Sequence, residues 1–79
     1  MHSAHLLLQA DAGRADDVAA FVQALPGCTG AVVTTGPYDV IAVVDLTDAA
    51  LDRLVHRAKR APGVSDVRVC TSPDVVRLP

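Results

Sequence analysis

The sequence repeats itself at an offset of 36 residues, without gaps. Pro26-Gly27 falls on Pro62-Gly63, Val33 on Val69, Thr35 on Thr71, Pro37 on Pro73 and Val40 on Val76. The apolar positions Val18 and Val22 fall on Leu54 and Ala58. A chain of 79 residues has room for one core. Two copies of one pattern must therefore share that core, each supplying the same elements in the same order.

The periodicity says what those elements are. Ala4 to Ala10 alternates as a strand, with Ala4, Leu6, Leu8 and Ala10 on one face and His5, Leu7 and Gln9 on the other. Asp11-Ala12-Gly13 breaks it. Arg14 to Leu25 has the spacing of a helix, with Val18, Phe21, Val22 and Leu25 on one side. Asp16 and Asp17 suit its first turn and Pro26-Gly27 ends it. Cys28 to Thr35 reads as a second strand and Gly36-Pro37 as a turn. Asp39 to Leu46 reads as a third, with Val40, Ala42, Val44 and Leu46 opposite Ile41, Val43 and Asp45. Thr47 or Asp48 can cap the next helix, which runs to about Arg60 with Leu51, Leu54, Val55 and Ala58 on one face. Pro62-Gly63 ends that helix and Val64 to Thr71 is the fourth strand. The tail from Pro73 to Pro79 suits a short extra strand or an extended arm. The order β-α-β-β-α-β, built from two equivalent βαβ halves, describes a ferredoxin-like α+β fold. Its four-stranded antiparallel sheet carries both helices on one face, within a single domain spanning residues 1–79.

Composition then points beyond one chain. The apolar fraction is 51%, but it comes as 13 Ala, 13 Val and 8 Leu, with one Phe, one Tyr, one Ile and no Trp. Such small side chains make a thin core, and a domain of this size is marginal alone. If the helices cover one sheet face, then Leu7, Ile41 and Val43 lie together on the other, on adjacent strands. The simplest cover for a bare apolar face is the same face of a second copy. A homodimer resembling an α/β barrel follows, with Leu7, Ile41 and Val43 at its interface.

Other classes are excluded. A net charge of −2, with Lys59 the sole lysine, does not suit direct nucleic-acid binding. The uncharged stretch that ends at Tyr38 is interrupted by Gly and Pro and does not suit a membrane span. The start, Met1-His2-Ser3-Ala4-His5-Leu6, lacks the basic and apolar regions of a secretory signal, so a cytoplasmic location is expected. Cys28 and Cys70 are then expected as free thiols, packed as small hydrophobes.

The segment with most chemistry is Thr34-Thr35-Gly36-Pro37-Tyr38-Asp39, between the second and third strands. Gly36 lets backbone N–H groups approach a ligand. Hydroxyls, the only phenol and a carboxylate lie within a few residues, and Asp39 can receive an ammonium group. The same residues also suit a plain hairpin in which Gly36 and Pro37 turn the chain and Asp39 caps it or faces water.

The string Pro26-Gly27-Cys28, followed by Val33-Thr34-Thr35-Gly36-Pro37-Tyr38-Asp39-Val40-Ile41-Ala42-Val43 and later by Pro62-Gly63-Val64, resembles the effector domain of Lrp/AsnC transcriptional regulators. The resemblance covers nearly the whole chain and implies the ferredoxin-like fold. It also implies pairing through the sheets, assembly into octamers or larger rings, and a small effector, usually an amino acid, held between dimers. By resemblance Gly36, Tyr38 and Asp39 carry over to the effector site, with Thr35 and Pro37 beside them. The first strand begins at Ala4, so the sequence reads as a stand-alone effector domain without a helix-turn-helix, able to partner a full-length regulator. Many family members carry a T-x-T pattern in the last strand. Here that segment reads Val67-Arg68-Val69, with Thr71 and Ser72 later.

His2 and His5 are three apart and His56 lies on another element, with no Cys-x-x-Cys, so no metal site or cofactor is expected. No nucleophile has an adjacent base, and the absence of Asn and scarcity of aromatics argue against the small enzymes built on this fold, so no catalytic residue is expected. The reading is a regulatory module that oligomerises and binds a small effector. The alternatives are a ligand-free assembly partner of a full-length regulator or, further off, a small dimeric ferredoxin-like enzyme.

Overall fold

A computed structural model describes residues 2–71 of the chain. The elements are β1 (His2–Ala10), α1 (Ala15–Gln23), β2 (Cys28–Val33), β3 (Val40–Leu46), α2 (Asp48–Lys59) and β4 (Val64–Thr71). They form one four-stranded sheet in the order β2-β3-β1-β4, with every neighbouring pair antiparallel. This is the ferredoxin-like fold. The tail at Pro73 to Pro79, and with it the repeat pair ending at Val76, lies outside the described residues.

The alternation of β1 and β3 decides where the core sits. Ala4, Leu6 and Leu8 pair with Val44, Ala42 and Val40, and all six are fully buried. Val18, Val22 and Leu25 close over them from the α1 side, and Leu51, Leu54 and Ala58 from α2. Both helices therefore cover the same sheet face. Each large aliphatic side chain removed from water there stabilises the fold by about 1.5–3 kcal/mol.

The 36-residue repeat reappears as geometry. Leu25 N–H donates to Val22 O at 3.0 Å, and Ala61 N–H to Ala58 O at 3.1 Å. Cys28 N–H donates to Leu25 O, and Val64 N–H to Ala61 O, both at 3.2 Å. Gly27 and Gly63 sit at φ of 87° and 88°. Each helix thus leaves through the same turn, in which a glycine takes the left-handed conformation that reverses the chain into an edge strand. At Gly27 space adds a second constraint, because a Cβ there would overlap the Leu46 side chain.

The helix starts differ. Thr47 caps α2, its Oγ1 accepting from Ala50 N at 3.3 Å. The start of α1 at Arg14 has no side-chain cap. The Arg14 guanidinium instead pairs with Asp17 in the first turn, Nε to Oδ2 3.0 Å, at the exposed surface.

Three expectations are corrected. Phe21 is 37% exposed, so α1 buries a narrower stripe than its spacing predicts. The helix lies over β3 and the edge strand β2, which leaves its flank without a third element to cover it. Cys70 is exposed rather than packed, because its partner His5 lies on the sheet face away from the helices. Cys28 is half-buried on the helix face, opposite Val44. The second strand stops at Val33 rather than Thr35, because Thr34 turns to bond the far side of the loop.

The face away from the helices carries Leu7, Ile41 and Val32 in one row, set by the registers Leu7↔Ile41 and Val32↔Ile41. Leu7 and Ile41 are half-buried by their neighbours. Val43 is 36% exposed and Val32 58%.

Candidate functional site

The Thr34–Asp39 loop joins the edge strand β2 to β3, beside the end of β1. It is fastened from within and from below. Thr34 N–H donates to Asp39 O, and Thr34 Oγ1 to Tyr38 O, both at 2.8 Å. From below, Asp39 N–H donates to Leu8 O at 2.9 Å. Ala10 N–H donates to Asp39 Oδ2 at 2.8 Å, and Gln9 Nε2 donates to Pro37 O at 2.9 Å. The β1 register shifts between Gln9 and Ala10. Leu8 turns its backbone toward β3, so strand alternation aims the Ala10 N–H the same way, past the end of the β1–β3 pairing and at the carboxylate.

Sequence reasoning did not find Gln9 and Ala10 as supports of the loop. Gln9 is the polar residue that follows the apolar run Leu6-Leu7-Leu8, which is a usable signal. Ala10 acts through its backbone, which no side chain announces.

Thr35, Gly36 and Pro37 stand exposed at the tip, and Tyr38 and Asp39 are half-buried at its base. Gly36 has φ +121°, a conformation that side chains rarely adopt, and its missing side chain leaves open space. Among the described residues the Thr35 hydroxyl, the Tyr38 phenol and Asp39 Oδ1 have no hydrogen-bond partner. The loop therefore presents a carboxylate oxygen, two hydroxyls and a glycine backbone on a fixed frame. Such a set suits a small molecule with both ammonium and carboxylate groups.

At β4, Val67 pairs with Leu8 and Val69 with Leu6, so both side chains lie on the helix face. Val67 is buried in the core. Among the described residues no three His, Cys, Asp or Glu side chains converge as metal ligands. No helix among them is long and apolar enough to cross a membrane.

The fold is that of a ferredoxin-like α+β module, with this loop as its candidate site. The chain belongs to the Lrp/AsnC ligand-binding domain family, whose model matches residues 3–75. No curated protein matches the sequence. Among solved structures it is similar to TTHA0845 from Thermus thermophilus, at 25% identity and TM-score 0.89, over 99% of this chain and 100% of that one. The transcriptional regulator NMB0573 from Neisseria meningitidis, solved as an L-Met complex, aligns at 22% identity and TM-score 0.81. That alignment covers 98% of this chain and 53% of the regulator. The E. coli Tat proofreading chaperone NapD shares the fold at 24% identity and TM-score 0.73, over 100% of this chain and 92% of that one. The last two likenesses are of fold alone.

Proposed function

We propose that this chain is an effector-binding module that pairs through its open sheet face and takes a small amino acid at the Thr35–Asp39 loop, between dimers. The observation that carries the reading is the fastened loop. Asp39 spends one oxygen on Ala10 N and keeps the other free, beside an open glycine and two unpartnered hydroxyls. In this reading Asp39 Oδ1 meets the ammonium group, the backbone at Gly36 meets the carboxylate and Tyr38 walls the side chain. A regulatory rather than catalytic role agrees with the family. The L-Met bound to the Neisseria regulator supports the ligand class.

A panel of amino acids in a thermal-shift assay tests it. Ligand binding to the folded form adds about 2.7 kcal/mol of stability at a hundredfold excess over Kd. One amino acid should raise the melting temperature in wild type and fail to do so in Asp39→Asn. No shift with any amino acid at millimolar concentration would favour the second reading, a ligand-free assembly partner of a full-length regulator. One observation favours that reading: the last strand offers Val67 and Val69 where many relatives carry hydroxyls, and Val67 is committed to the core.

A further inference from the structure

Far from the loop, α2 leans over a shallow cleft of about 180 Å³, lined by Pro26, Leu46, Ala50, Arg53, Leu54 and Arg57. Its position follows from the repeat turn. Pro26 and Gly27 bring the end of α1 against the end of β3, and the absent Gly27 side chain lets Leu46 settle there. Leu46, Pro26, Ala50 and Leu54 supply an apolar lining. Arg53 and Arg57 stand one helical turn apart at the cleft.

Like charges at that spacing repel each other unless an anion lies between them. Among the described residues the ion pairs are Arg14 with Asp17 and Arg68 with Asp66, and neither cleft arginine takes part in one. No acidic residue lines the cleft. Two guanidinium groups match a carboxylate through paired N–H donors. The apolar lining suits a short aliphatic body, and the volume is below that of a drug-sized pocket. An ammonium group would find two cations and no acceptor charge.

We propose that this cleft is a second binding site, for a compact aliphatic carboxylate that lacks an amino group. The carboxylate lies against Arg53 and Arg57, and the chain lies on Leu46, Ala50 and Leu54. The site is independent of the loop, and its chemistry is complementary. The loop has an acid to greet an ammonium group; the cleft has none.

Calorimetry on the full chain with 4-methylpentanoate, leucine and inorganic phosphate tests the assignment. Leucine differs from 4-methylpentanoate only by its ammonium group. The expected result is saturable binding of 4-methylpentanoate that weakens at least about tenfold in Arg53→Gln/Arg57→Gln. Both residues are exposed, so that variant should melt like wild type by circular dichroism. Ala50→Leu fills the cleft, keeps both charges and should weaken binding similarly. Any heat from leucine should survive in both variants, since it arises at the loop. No saturable heat from 4-methylpentanoate at millimolar concentration overturns the proposal, as does unchanged affinity in the double variant. Phosphate binding as tightly, and lost in the same variant, overturns the assignment of an aliphatic ligand and leaves a bare anion site.

Discussion

At the scale of single residues, Asp39 has two claims on it. Its Oδ2 accepts the Ala10 N–H at 2.8 Å, beyond the point where β1 stops pairing with β3 at Leu8↔Val40. Asp39→Ala leaves a half-buried N–H without an acceptor and should destabilise the domain by about 1–2 kcal/mol. Asp39→Asn keeps an oxygen facing Ala10 and should cost less than half as much, while removing the charge that an ammonium ligand needs. Urea unfolding of both variants separates the two roles; equal stability of Asp39→Ala and wild type would show that the bond contributes nothing. Gly27 is the second such position. Its φ of +87° strains any side chain, and a Cβ would overlap Leu46. Gly27→Ala should therefore cost about 2 kcal/mol or more, read as a lower urea midpoint. A midpoint within error of wild type would mean that Leu46 moves aside freely.

At the scale of elements, the two helices are stabilised by different means. Thr47→Ala removes the side-chain acceptor for Ala50 N–H in the first turn of α2 and should cost about 1 kcal/mol. A thermal melt unmoved by this change would show that the cap is redundant with helix packing. Most of the element plan was legible in advance because strand alternation and helical spacing are local. Ala4, Leu6 and Leu8 on one side of His5 and Leu7 can fold in one way against Val40, Ala42 and Val44, and they do. The two Pro-Gly turns announced both helix ends. What stayed hidden depends on neighbours brought together only by the fold. Phe21 has the right spacing for burial but rides over an edge strand. Cys70 has the composition of a core residue but lies on the uncovered face. The candidate loop was legible in its residue types, whereas its supports, the Gln9 amide and the Ala10 N–H, come from a strand 28 and 29 residues away and depend on how far β1 runs past its pairing with β3.

At the scale of the whole molecule, the question is what covers the second sheet face. Leu7, Ile41 and Val32 form a row across three adjacent strands, with Val43 beside them. Ile41 and Ala42 are consecutive in sequence and face opposite ways. Ala42 is fully buried beneath the helices, whereas Ile41 is half-buried in a single copy. The two positions therefore give opposite outcomes for the same charge. Ala42→Asp places an unpaired carboxylate in the core, at a cost of several kcal/mol that rivals the stability of so small a domain. It should unfold the chain whatever its assembly state. Ile41→Asp places the charge where water can reach it in a monomer but not in a sheet-to-sheet pair. It should dissociate the assembly and leave the far-ultraviolet circular dichroism of a folded α+β domain. Sedimentation velocity at micromolar concentration reads the difference: a dimer or larger species for wild type, a smaller folded species for Ile41→Asp. A wild-type chain that sediments as a stable monomer would sink the pairing argument. An Ile41→Asp chain that stays assembled would move the interface off this face, to the edge strands or the helices.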